Sequence, residues 1–424
     1  MSKILKELPE LTEAGVISDE AAERIRSYYT SKSNRGPNAI VLVFGILGAL
    51  LVGLGVVLII AHNWDDLARP TKIVYALLPL LAGQLVCGYT LLKKPRSQAW
   101  RESGAVLVFF AVAASISIVS QVYNIPGDLS GFMLTWMLLS IPVIYVMRSA
   151  MTSLLVIVGI TVYACTVSYF SYPTEIAWYY WLMLALVVPF FFMLAETGRR
   201  NFEYFHRWFL AVSLIISLNV FNESDSVYMF VAYMSMFSLF ILLGETTKFS
   251  GGRIANNAFL VTGSLGSAVL LLFLSFRWTW TEIAREIGQW DEGFFVAIAM
   301  SLLAGGALVH AIRTRGVAAV HPKAYLFLVF IMLFELGKVS PVVTSWLVSL
   351  LVLAVAVITT WRGAGQNNML VLNYGLLILS ALIICRFFDT DMSFVVRGIL
   401  FVIVGSSFFG ANYWVLRKRK LQNS

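Results

Sequence analysis

Between residues 39 and 61 the chain runs for 23 positions without a polar side chain. Similar runs, mostly apolar and separated by short polar breaks, recur along the rest of the sequence. They predict fourteen helices, at 39–62, 72–92, 103–123, 129–147, 150–171, 175–195, 206–221, 226–244, 257–276, 293–312, 323–339, 342–361, 367–386 and 393–415. At about 1.5 Å per residue, roughly 20 residues cross the hydrocarbon layer of a bilayer. A helix suits that setting because it satisfies its own backbone donors and acceptors where water is absent. The expected fold is all-α, a polytopic transmembrane helix bundle.

Composition agrees with the pattern. Of 424 residues, 59% are hydrophobic and 13% charged, against about 25% charged in an ordinary soluble domain. The placement of Lys and Arg then orients the spans. Of the 31, 24 fall in breaks on the N-terminal side and 6 in the opposite breaks, with Arg397 inside the last span. The positive-inside rule therefore puts both termini in the cytoplasm. A missed or extra span would scramble the alternation, so the asymmetry also supports an even number of spans. The net charge of +8 is this cytoplasmic basic excess, and no nucleic-acid partner is expected. The expected organisation is a polar cytoplasmic segment at 1–38, a membrane domain at 39–415 and a basic cytoplasmic tail at 416–424.

The first 38 residues predict a short helical hairpin. Leu5, Leu8 and Leu11 are spaced near one turn in "ILKELPELTEAG", and Gly15 offers a C-terminal stop. In "ISDEAAERIRSYY", Ser18 is the expected N-cap, with Asp19 and Glu20 well placed in the first turn. No basic, apolar and small-residue succession marks a cleaved signal, so nothing is expected to be removed. A further helix is expected in "RWTWTEIAREIGQW", between the ninth and tenth spans. Trp280, Ile283, Ile287 and Trp290 share one face, which predicts a helix lying in the membrane interface on its tryptophans.

Candidate chemistry gathers on the extracytoplasmic face in three clusters. They are Asn63, Trp64, Asp65 and Asp66 after the first span; Gln121, Tyr123, Asn124 and Asp128 after the third; and Arg386, Asp389, Asp391 and Arg397 around the last break. Each residue alone is explained as a helix cap or an interface side chain. Taken together on one face they outline a polar site, with Asp389 or Asp391 the nearest carboxylate for Arg397. His310 and Glu335 are the candidate intramembrane polar residues, and Lys338 one turn beyond Glu335 permits a neutralising pair. Four scattered histidines give no metal-ligand spacing. There is no phosphate loop, nucleophile elbow or kinase motif, so no cofactor is expected. Cys87, Cys165 and Cys385 lie singly in apolar runs and read as small hydrophobes.

The ordered signatures "LTEAGVISDEAAERI", "NWDD", "SQVYN" with its following "GD", and "RFFDTDMSFVVRG" resemble a bacterial family of predicted integral membrane proteins, domain of unknown function 2157. The resemblance implies a bacterial cytoplasmic membrane; it supplies no activity, and no catalytic residue is carried over from it. Three functions fit these features. The leading one is a transporter-like protein that recognises a polar or charged solute, or a lipid head group, at the extracytoplasmic clusters. The second is a membrane scaffold or accessory subunit held through the N-terminal segment, with no protein partner indicated. The third is an enzyme on a lipid-linked substrate, with Asp65 or Asp66 as general base. The lipid bilayer is the one partner expected in every case.

Overall fold

The computed structural model describes residues 3–33, 68–170, 175–196, 200–221, 226–246, 256–285 and 290–389, with a few isolated positions besides. Met1–Tyr75 forms one compact unit and Ala76–Ser424 another. In the first, α1 (Lys3–Glu13) and α2 (Asp19–Ser33) pack on each other. Leu8 is buried, Gly15 takes a positive φ of +67° just past α1, and the Ser18 hydroxyl accepts from the Ala21 N–H at 3.3 Å. The stop and cap are those the residue types dictate.

The chain continues through α3 (Arg69–Lys93), α4 (Gln98–Tyr123), α5 (Leu129–Met147), α6 (Ala150–Ser168), α7 (Trp178–Glu196), α8 (Arg200–Ser217) and α9 (Met229–Gly244). It ends with α10 (Ala258–Phe273), α11 (Arg277–Arg285), α12 (Glu292–Arg315), α13 (Leu326–Val339), α14 (Pro341–Gly365) and α15 (Met369–Asp389). A helix thus stands at each expected span from the second to the thirteenth. The first and last expected spans, 39–62 and 393–415, fall almost wholly outside the described residues. Among the described residues there is no strand, and eight helices are long and apolar enough to cross a membrane: α3 to α7, α12, α14 and α15. The remaining four expected spans differ in instructive ways. α9 and α13 are short, and α10 is continued by α11 after a bend of 83°. α8 opens six residues before the expected start with a charged turn, in which Arg207 pairs with Glu203 inside the protein.

α9 is the centre of the second unit. It is apolar on every side, nearly all of it is buried, and it packs against α10, α12 and α13. A helix with no polar stripe can only be stable when enclosed in this way. Among the described residues, some of the polar groups inside the bundle pair across helices. The Ser213 hydroxyl bonds Thr161 at 2.7 Å and Tyr180 at 2.8 Å, joining α8 to α6 and α7. Ser235 meets Ser301 at 3.0 Å between α9 and α12. Such bonds link helices where lipid offers no alternative partner.

The expected interfacial helix is corrected. α11 has the apolar face that the spacing gives, but that face is turned into the protein. Trp280 is fully buried, donates its indole N–H to the Leu274 carbonyl at 2.6 Å, and packs on Phe330 and Phe334 of α13. Of the expected face, Trp290, 79% exposed and outside α11, is open to serve as an interface anchor, as is the 55% exposed Trp278 at the start of α11. Periodicity shows that a face needs covering and leaves open whether protein or lipid covers it.

Candidate ligand cavity and the predicted polar residues

Two described members of the predicted polar clusters, Asp128 and Asn124, work as helix caps. Asp128 is the N-cap of α5: it accepts from the Gly131 N–H at 3.1 Å and from the Ser130 hydroxyl. The Ser130 bond, then the Gly131 bond, hold its carboxyl below the usual carboxylate range. Asn124 ends α4 in the left-handed conformation, with φ +49°. Gln121, Tyr123, Asn124 and Asp128 are all exposed. In the third cluster, the Arg386 guanidinium lies over the Trp346 ring at 5.4 Å, and Asp389 closes α15. Asn63, Trp64, Asp65, Asp66, Asp391 and Arg397 lie outside the described residues. Glu335 pairs with Lys338 at 2.7 Å, while the same ammonium rests over Tyr228 and Phe334. His310 is exposed on α12.

A different set of residues lines a cavity. α10 starts at Asn257, whose side chain accepts from the Leu260 N–H at 3.2 Å and donates to the Gly244 carbonyl at 2.7 Å. That double bond ties the end of α9 to the start of α10. After α12 the chain turns at Gly316, φ +83°, and passes through a 3-10 turn, Pro322–Tyr325, before α13. The His321 ring caps this turn by accepting from the Lys323 N–H at 3.2 Å. α14 and α15 come close through Gly363, where an added Cβ would stand 2.3 Å from the Leu372 nitrogen. No side chain larger than hydrogen fits there, so the two helices act as one wall.

Between these elements lies a cavity of about 440 Å³. Its walls are apolar: Leu260, Val261 and Leu265 of α10, Leu326 and Val329 of α13, Leu351, Ala354, Val355 and Ile358 of α14, and Leu370 and Val371 of α15. Its polar lining groups include Ser264, His321, Lys323, Thr359, Arg362 and Tyr374, with Lys323 just before α13 and Arg362 near the end of α14. Lys323 is only 7% exposed, and its ammonium sits 4.6 Å from the centre of the Tyr374 ring. The Tyr374 hydroxyl donates to the Ser264 carbonyl at 2.6 Å, which fixes the ring beneath the cation. Among the described residues no carboxylate pairs with Lys323; Glu245 is engaged by Arg315 at 3.4 Å.

The electrostatics follow from that crowding. Burial, reinforced by the Arg362 charge, pulls the Lys323 ammonium down to about 8. Burial, then Lys323 and Arg362, hold the His321 imidazole at about 4, so it is neutral at physiological pH. Burial raises the Glu245 carboxyl against the opposing pull of its His321 backbone bond, Arg315 and Arg362. Among the described residues, the buried Lys323 and the half-buried Arg315 and Arg362 thus face one carboxylate here. A buried excess of positive charge costs folding energy unless an anion joins it. The sequence reading counted Lys323 only as one basic residue of a break. The available signal was its position, directly before an apolar run and after "HP".

Residues 9–153 match the family model of a predicted membrane protein, DUF2157. This stretch runs from α1 to the first turn of α6 and includes "NWDD" and "SQVYN"; the "RFFDTDMSFVVRG" segment and the cavity lie beyond it. No curated protein and no solved structure matches the chain.

Proposed function

We propose that the chain is a multi-pass protein of a bacterial cytoplasmic membrane, with fourteen spans and both termini in the cytoplasm. In this reading it is transporter-like and holds an anionic ligand within the bundle. One observation carries the anion: a buried lysine, unpaired with any carboxylate among the described residues, in a mostly apolar cavity. Intramembrane charges without a structural partner mark ligand or ion pathways. The basic bias of alternate breaks supports the orientation and puts the Lys323 end of the cavity on the cytoplasmic side.

The test uses the full chain with Cys87, Cys165 and Cys385 replaced and Ser264→Cys introduced into the cavity. In inside-out vesicles, an anionic methanethiosulfonate reagent should modify this cysteine about tenfold faster than a cationic one, as expected for a nearby unit charge in partly desolvated surroundings. Adding Lys323→Gln should remove most of that preference. Equal rates for the two reagents in the parent protein would defeat the reading.

A further inference from the structure

We infer that the cavity between α10, α13, α14 and α15 is a lipid site: it takes an anionic lipid with the head group on Lys323 and Arg362 and an acyl chain along the apolar walls. The inference rests on the anion reading above and names the ligand class.

Three features point to a lipid rather than a water-soluble anion. First, the two charged groups, Lys323 and Arg362, stand at helix ends, and most of the lining is hydrocarbon. A small anion bound to Lys323 would leave that space without partner atoms, and an apolar void forfeits the dispersion contacts its walls could make. The volume of about 440 Å³ is within the range of sites for organic ligands of roughly 300–1,000 Å³.

Second, the rim is apolar and outward-facing. Leu265, Val329, Ile358 and Leu370 line the cavity and are also exposed, Leu370 at 70%. On a helix bundle in a membrane these positions meet acyl chains, so the opening is lateral and its natural occupant already lies alongside. Third, the charge is placed as a lipid needs it. Lys323 and Arg362 stand where the helices end, at head-group depth, and each can donate to a phosphate ester oxygen. His321, being neutral, adds no repulsion to a lipid cation, yet Lys323 and Arg362 do. A zwitterionic head would bring its own ammonium towards them, and an anionic head brings none.

The experiment measures the thermal unfolding midpoint of the delipidated full chain in detergent micelles doped with phosphatidylglycerol, with phosphatidylcholine, or with inorganic phosphate alone. A ligand that binds the folded state raises the midpoint in proportion to its saturation. Phosphatidylglycerol should raise it with a half-saturation about tenfold below that of phosphatidylcholine, the scale of one charge-assisted hydrogen bond. Inorganic phosphate should leave it unchanged. Lys323→Gln should weaken the phosphatidylglycerol response about tenfold. Ala354→Trp, which fills the apolar part and leaves every charge in place, should abolish it. Equal responses to the two lipids, a full response to phosphate alone, or an undiminished response in Ala354→Trp would each overturn the inference. Should phosphatidylglycerol fail while the Ser264→Cys reagent preference persists, the lipid is wrong and the anion site stands; loss of both removes both.

Discussion

Lys323 shows how much one residue's surroundings decide. On an exposed loop its ammonium would stay charged to well above pH 10. Here burial and Arg362 bring it to about 8. The charged form is what an anion recognises, so binding is strongest below that value and weakens as pH rises through it; a bound anion shifts the loss upward by favouring the proton. Over this window His321, which titrates at about 4, stays neutral, and Glu245 is engaged by Arg315. The phosphatidylglycerol-dependent rise in unfolding midpoint should therefore fall several-fold between pH 7 and pH 10. Lys323→Arg, whose guanidinium does not titrate there, should hold it constant. A flat profile in the parent protein would mean that Lys323 does not bear the anion. None of this was visible in the sequence, because the lining residues come from four separated helices. Most of them are the same Leu, Val, Ile and Ala that fill every span.

At the scale of elements, the apolar runs located the helices well, since run length is itself the physical requirement for crossing lipid. What runs cannot express is the neighbour. α11 displays the problem: its Trp280 and Ile283 face was legible, and its burial against α13 was not. The contact depends on Gly337 of α13, where an added Cβ would stand 2.2 Å from the Trp280 ring. With Trp280 fully buried and its N–H bonded to Leu274, the ring has no free direction to move. Gly337→Ala should cost about 1–3 kcal/mol, the usual range for overpacking. It would appear as a lowered thermal midpoint in detergent. Gly306→Ala on α12, where nothing lies within 4 Å of the new Cβ, serves as the control and should leave the midpoint unchanged or raise it slightly. A Gly337→Ala midpoint equal to the control would show that α11 does not dock on α13. The polar turn at 121–128 was legible in the opposite sense. Its residues were correctly expected to be polar, and the reason is capping: Asp128 starts α5 and Asn124 ends α4.

For the whole molecule, the decisive quantity is the sidedness of charge. Lys and Arg resist transfer across a bilayer during insertion, so a chain settles with most of them inside. With 24 against 6 in alternate breaks, reversing the bundle would carry the larger group across. On the proposed topology Asp66 lies outside and Lys418 inside, on opposite sides of the membrane. In a background lacking the native cysteines, Asp66→Cys should react with a membrane-impermeant maleimide on intact cells freed of their outer barrier, and Lys418→Cys should react only after the membrane is permeabilised. The reverse pattern would invert the proposed topology and move the Lys323 cavity to the outer leaflet. Labelling of both sites from outside would mean an even number of spans between them, and the alternation would have to break within the chain. The cavity gives an independent check, since Ser264→Cys should be reached by impermeant reagents from the Lys418 side and not from the Asp66 side. Agreement of all three positions ties the anion site to the cytoplasmic leaflet, where its lysine and arginine sit among the other basic residues that fix the protein's orientation.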